Sequence, residues 1–296
     1  MKDRVFAALT PLSAGSMRFR FDEYNKNRSS FFSFPCFGHK KHTAVELIHS
    51  HEVFCAGADD VVYGRFGEKQ GDGIITCSAS VLPVITVADC MPIFIYEPKS
   101  SCIGVLHSGW KGTGIVLKAF EKAQKEYGAD IGNFRVILGP HIRSCCYTVD
   151  ERRARFFETE FSPDCVVPLS EHNYAENERP FPCAAASDST SGTPLYRLSL
   201  EKANLALLKK AGIKDEHILC IGECTCCTKN ACGVYKYGSF RRETAALPES
   251  MSLEKKQRHF TPMAAFIGFK DDCFTPENLS EKGACIFYFD CGKIGV

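Results

Sequence analysis

Short runs of Val, Ile and Leu alternate along this chain with stretches whose apolar residues recur at helical spacing. That alternation admits few architectures, because each helix must cover a sheet face and each sheet must be covered. Strands are expected over residues 74–78, 81–87, 102–106, 134–138, 217–221 and 263–269, with a further strand at 5–9. The clearest helix spans 114–127, where Val116, Ala119, Phe120, Ala123 and Tyr127 share one face and Gly128 stands ready to end it. Two more helices are expected over 150–161 and 199–211, the latter stopped by Gly212. Between them, residues 162–194 are rich in Pro, Ser, Asn and Glu and read as a long loop or flap. The fold class is therefore mixed α/β, with one domain over 1–270 and an extension over 271–296.

Charge narrows the functional classes. The 296 residues carry 36 Lys+Arg against 35 Asp+Glu, a net charge of +1, so no nucleic-acid-binding surface is implied. No apolar run approaches the ~18 residues of a spanning helix, so no membrane partner is expected. Cysteine is the abnormal count, at 17. The odd number, and an N-terminus that reads as a strand rather than a signal peptide, favour free thiols in a reducing cytoplasm. Most of them, Cys55, Cys77, Cys102 and Cys220 included, sit among apolar neighbours as small core residues. Cys145 and Cys146, next to Arg143, read as packing thiols. Cys224, Cys226, Cys227 and Cys232 are the densest group, but a second Cys-x-x-Cys is missing, so the group reads as a thiol-rich strand end rather than a second metal site.

Three segments look unlike core. In Leu47-Ile48-His49-Ser50-His51-Glu52-Val53 the two histidines share a face at strand spacing. A buried strand ends in Val87-Ala88-Asp89-Cys90-Met91-Pro92, an acid and a thiol where α/β proteins place ligand contacts. A second strand runs into His107-Ser108-Gly109-Trp110-Lys111-Gly112, with the helix N-terminus following as a site for anions. Together His49, Cys90 and His107 offer two imidazoles and a thiolate, a set suited to Zn²⁺ with one open position. The same residues also admit a metal-free reading, with Cys90 as nucleophile and His107 or His49 as base.

Four strings occur in order: Gly71-Asp72-Gly73-Ile74-Ile75-Thr76, Thr86 to Ile93, His107 to Gly112, and Gly139 to Val149. Leu195 to Leu200, Cys224 to Cys227, Ser239-Phe240-Arg241-Arg242-Glu243 and Ala264 to Gly268 follow. Over roughly residues 43–270 this pattern resembles the YfiH-type laccase-domain family, known as polyphenol oxidases and as purine nucleoside phosphorylases. The resemblance implies a mixed α/β sandwich of the cysteine-hydrolase-like type, with zinc held by His49, Cys90 and His107. It also implies phosphorolysis of adenosine, inosine, guanosine and methylthioadenosine, and deamination of adenosine. Copper fits the ligand set less well, since a multicopper oxidase needs many clustered histidines and this chain has nine scattered ones.

On this reading Cys90, His107 and Asp89 are the catalytic candidates, with Asp89 either orienting a ligand histidine or capping the following turn. Asp72, Trp110, Lys111, Arg241 and Arg242 are the substrate-binding candidates. The implied partners are purine nucleosides and phosphate, and the implied assembly is a monomer or homodimer. The sequence also departs from the family pattern. Thr10-Pro11-Leu12-Ser13-Ala14-Gly15 lacks the usual Thr-Arg, Lys111 replaces a common arginine, and His141 stands where a small residue is frequent. The missing Thr-Arg, together with the added segment beyond residue 270, motivates a third reading, a catalytically silent nucleoside-binding protein.

Overall fold

The computed structural model describes residues 5–59, 69–169, 195–248, 250–256 and 258–289. Two sheets dominate. One has five strands in the order Cys285–Tyr288, Val5–Leu9, Met263–Phe269, Val81–Val87 and Lys41–Ala44. The other has six, in the order Ile218–Cys220, Arg135–Leu138, Met91–Glu97, Cys102–Ser108, Gly73–Thr76 and Val53–Cys55. Both are mixed: most pairs are antiparallel, while Lys41–Ala44 with Val81–Val87, Val53–Cys55 with Gly73–Thr76, and Ile218–Cys220 with Arg135–Leu138 run parallel. A small antiparallel sheet of Val166–Pro168, Leu195–Leu198 and Thr148–Asp150 stands beside them.

The sheets pack face to face because alternate residues of each strand point in opposite directions. Ala7, Leu9, Ile85 and Val87 of the first sheet meet Phe94, Ile103, Val105 and Ile137 of the second. The outer face of the five-stranded sheet, bearing Phe6, Ala8, Leu82, Val84 and Phe266, is covered by Phe31, Phe32, Phe37 and Phe274. The outer face of the six-stranded sheet is covered by Ile115, Val116, Ala119, Phe120 and Ala123 of one helix and Leu200, Ala203 and Leu208 of another. The result is a sandwich layered α–β–β–α. With both faces covered, central strands become continuous apolar runs, as in Met263–Phe269, all of whose residues are buried.

The expected elements are recovered with shifts of a residue or two at their ends. The helices run Ile115–Tyr127, Glu151–Glu160 and Leu200–Lys210. Asp150 and Ser199 cap the last two through their side chains, and Gly128, at φ 64°, ends the first. The strand Met91–Glu97 was not among those expected; Pro92 near its start and its direct continuity with the preceding loop obscured it. Of the expected flap, residues 162–169 form a short 3-10 turn and the strand Val166–Pro168, while residues 170–194 lie outside the described residues. Residues beyond 270 join the sandwich: Cys285–Tyr288 pairs with Val5–Leu9, and Phe274 stacks on Phe6 at 4.7 Å. Buried Lys40 holds this segment through Asp271 at 2.7 Å and the Phe269 carbonyl at 2.8 Å. Among the described residues no helix is long and apolar enough to cross a membrane.

Candidate metal centre

The six-stranded sheet brings the motifs together at one edge of its central strands. His107 lies near the end of Cys102–Ser108, and in the adjacent antiparallel strand Met91 pairs with Ser108, so Cys90 falls beside it. His49 reaches the same point from the loop before Val53–Cys55. The Cys90 Sγ and the ring nitrogens of His49 and His107 lie within 4.8 Å of one another. The two imidazoles meet edge to face, with centroids 5.0 Å apart and planes at 79°. Gly109 makes the close approach feasible: a Cβ there would stand 2.7 Å from Cys90 Sγ.

Asp72 organises this set from beneath. It is fully buried in the Gly-Asp-Gly turn, and its Oδ1 accepts the His49 backbone N–H at 3.0 Å and the His107 Nδ1–H at 2.9 Å. Its Oδ2 accepts the Ser50 N–H at 2.6 Å and the Ser50 hydroxyl at 2.8 Å. Burial opposes the charge on Asp72, but His107 and Ser50 outweigh it and hold the carboxyl below its ordinary value. The carboxylate thereby fixes the His107 tautomer and frees Nε2 to face Cys90.

Without an ion the electrostatics are those of a thiolate and an imidazolium. Burial raises the Cys90 thiol, yet His107 and His49 beside it bring it down to about 6. Burial likewise works against protonated His107, but Cys90 and Asp72 lift it to about 10. Two imidazoles and an easily ionised thiol, with one histidine oriented by a buried carboxylate, fit a tetrahedral thiophilic ion that keeps one ligand position for solvent or substrate. Two residues at the site adopt left-handed backbone conformations rare outside glycine, His49 at φ 59° and Asp89 at φ 81°. Strain of this kind costs on the order of 1–3 kcal/mol per residue and must be held by its surroundings.

The other candidates are spread around this point. Asp89 is turned away from the His107 ring: its Oδ1 accepts the Thr225 hydroxyl at 2.7 Å and its Oδ2 the Arg241 N–H at 2.6 Å. These bonds hold its strained backbone and tie the turn before Cys90 to the segment 225–241. His51, expected to share a face with His49, does not, because the chain bends there instead of running as a strand. Its Nε2 contacts the Thr113 carbonyl at 3.0 Å. Arg242 is committed to carbonyls of Thr225, Cys226 and Tyr237 and to Glu243. Buried Arg241 reaches Thr148 Oγ1 at 3.2 Å and lies 5.6 Å from the Tyr147 ring. Trp110 is flanked by cations, Arg153 at 4.4 Å and Lys111 at 5.4 Å from its ring.

Two residues given no role from sequence join the wall. The Tyr147 hydroxyl is buried, which pushes it up to about 12, and it interacts with Arg153, Cys90 and Arg241. Arg153 carries a buried Nε with no hydrogen-bond partner. Tyr147 was visible within the Cys-Cys-Tyr-Thr-Val string, but Arg153 sits among Arg152 and Arg155 on a charged helix, where nothing in the spacing singles it out.

Comparison with known proteins identifies the family and the fold. The sequence profile of the multi-copper polyphenol oxidoreductase laccase family matches residues 22–247. The chain belongs to this family. Among curated relatives of this laccase-family protein, purine nucleoside phosphorylase YlmD of Bacillus subtilis is 31% identical over 159 residues, covering 53% of this chain and 50% of the relative. A purine nucleoside phosphorylase of Clostridium acetobutylicum is 28% identical over 189 residues, 62% of this chain and 67% of the relative. Mouse purine nucleoside phosphorylase LACC1 is 29% identical over 62% of this chain but only 36% of its own length, so the matched stretch spans a third to two thirds of these relatives. The fold matches crystal structures of YlmD from Geobacillus stearothermophilus, with a TM-score of 0.68 at 24% identity over 90% of this chain and 92% of that one, and of Bacillus licheniformis YfiH, with a TM-score of 0.66 at 23% identity over 90% and 93%.

Proposed function

We propose that this laccase-family protein is a zinc-dependent purine nucleoside phosphorylase, acting on adenosine, inosine, guanosine and methylthioadenosine, with adenosine deamination as a second activity of the same centre. The observation that carries the proposal is the convergence of His49, Cys90 and His107 over a carboxylate that accepts four hydrogen bonds. The names of the relatives supply the reaction class. Zinc is favoured over copper because, among the described residues, this is the one group containing histidine that is close enough to share an ion, whereas multicopper chemistry needs several.

In phosphorolysis a phosphate oxygen forms a bond to the ribose anomeric carbon as the bond to the purine nitrogen breaks. The electron pair leaves with the base, which takes up the proton that the phosphate gives up, so the products are the free purine and ribose 1-phosphate, or 5-methylthioribose 1-phosphate from methylthioadenosine. When bound, zinc supplies Lewis acidity beside the reacting groups. The chain's own part is to place charge. Arg153, with its unpartnered Nε, and Arg241, which also donates to Thr148, both bring guanidinium groups to Tyr147, suited to the two charges of phosphate. Lys111 adds a point charge next to Trp110. Asp72 keeps the His107 Nδ1 proton in place, so that only Nε2 faces the reaction. Asp89 acts through position, holding the turn that presents Cys90.

The test is product analysis of purified protein of known metal content, with adenosine and inosine, with and without phosphate. Ribose 1-phosphate and free base formed only with phosphate, and lost in His107→Ala, support the reading. Zinc-replete protein that releases neither from any purine nucleoside overturns it. A second reading, a metal-free cysteine hydrolase, is favoured by one observation, the Cys90 thiol beside a His107 ring that the buried Asp72 carboxylate orients. Turnover that survives chelation but is abolished by alkylation of Cys90 selects that reading.

A further inference from the structure

A second cluster lies away from the histidines. Cys145 and Cys146 sit in a turn closed by the N–H groups of Cys146 and Tyr147 on the Arg143 carbonyl, and Cys224 and Cys227 sit in the turn that follows the isolated bridge between His141 and Cys224. All four sulfurs lie within 4.8 Å of one another, and Cys145 and Cys227 stand 3.7 Å apart. Four thiolates at ~2.3 Å from one zinc ion, arranged as a tetrahedron, stand about 3.8 Å from each other. The pair lacking from the sequence pattern is therefore supplied by the adjacent Cys145-Cys146, which no spacing rule for Cys-x-x-Cys motifs would find.

Packing alone does not account for the group. Cys146 and Cys224 are buried, but Cys145 and Cys227 are exposed, where a small apolar residue gains nothing by clustering. The backbone also turns a donor toward the buried sulfur: the Arg143 N–H points at Cys224 Sγ at 3.4 Å. A backbone N–H group aimed at a sulfur is the kind of outer partner that orients a metal-bound thiolate.

We propose that Cys145, Cys146, Cys224 and Cys227 form a second, structural zinc site with no open coordination position. Its work is mechanical. The turn at 224–227 carries Thr225, whose hydroxyl holds Asp89 at 2.7 Å and whose N–H bonds the His141 carbonyl at 3.0 Å, and Asp89 immediately precedes Cys90. The turn at 145–146 leads directly into Tyr147, which faces Cys90 and Arg153. An ion joining the two turns pins both neighbours of Cys90 without entering the reaction. The proposal stands apart from the nucleoside reading and does not depend on it.

The experiment is elemental analysis of the full chain, purified under reducing conditions and dialysed against zinc-free buffer. Two zinc ions per chain are expected in the wild type, one in Cys145→Ser/Cys227→Ser, and one in His49→Ala/His107→Ala, retained by the four-cysteine site. Cobalt loading of the wild type provides a readout that needs no variant to fold. A tetrathiolate spectrum in the cobalt-loaded wild type supports the site. A single zinc in the wild type that disappears entirely from the double-histidine variant overturns it. So does a Cys145–Cys227 disulfide, found by mass after alkylation in native protein as isolated, with no change in metal content on reduction.

Discussion

Replacing Asp72 by asparagine tests the organisation of the candidate metal centre more sharply than removing one of its candidate ligands. The side chain keeps its shape but exchanges one acceptor oxygen for an NH₂ donor in a fully buried position where every neighbour donates. If the NH₂ takes the place of Oδ2, the Ser50 hydroxyl can turn and accept, but the Ser50 backbone N–H is orphaned. If it takes the place of Oδ1, the His49 N–H is orphaned and His107 must move its proton to Nε2, the atom needed for the ion. An orphaned buried donor costs about 1–3 kcal/mol. For a chain of this size that lowers the midpoint of the metal-free protein by roughly 2–4 °C per kcal/mol. Loss of the carboxylate behind a histidine ligand typically weakens metal binding by about 10–100-fold. Thermal denaturation after chelation reads the first effect, and competition with a chromogenic zinc chelator reads the second. Asp72→Asn protein that melts with the wild type and holds zinc as tightly would refute the role given to this carboxylate.

Gly109→Ala places a Cβ 2.7 Å from Cys90 Sγ and 3.8 Å from the His49 ring, displacing the sulfur by more than the ~0.2 Å that a metal site tolerates; zinc titration should show weakened binding, with the melting temperature of the chelated protein little changed. Phe274→Ala empties a fully buried position between Phe6, Phe37 and Phe266, and should cost about 3–5 kcal/mol in urea denaturation, because the aromatic layer cannot collapse around it. His42, stacked on Phe32 at 5.0 Å, is lowered to about 4 by burial and by Arg28. The unfolded chain therefore binds the extra proton first. Stability should be intact above pH ~6.5 and fall by about 3 kcal/mol as the pH drops toward 4, a slope that His42→Gln flattens in denaturation curves taken across that window.

How much of the molecule was legible in its sequence depended on the range of the interaction responsible. Val81–Val87 and Met263–Phe269 were readable as strands because β-branched and apolar residues covered on both faces leave an unbroken apolar run. The helix Ile115–Tyr127 was readable because its buried residues recur every three or four positions and a glycine ends it. Cys90 and His107 could be singled out as polar side chains at the ends of apolar strands, whereas His49, in a loop, was weak on its own and joined them only as a third donor in the set that the family resemblance implies. Local chemistry was sufficient for the strands and the helix.

Partnership was a different matter, since it depends on which strands lie side by side. Only the register of Met91 with Ser108 puts Cys90 beside His107, and only the fold lets one buried carboxylate, that of Asp72, accept both the His49 N–H and the His107 ring N–H. Asp89, equally acidic and next to the candidate ligand Cys90, is claimed instead by Thr225 and Arg241, residues remote in the chain that the fold carries to it. The four clustered thiols show the same division: the sequence determined which side chains have the chemistry to bind an ion, and the packing of two distant turns decided which of them stand close enough to share one, because coordination and hydrogen bonding act over a few ångströms of space however far apart along the backbone their donors lie.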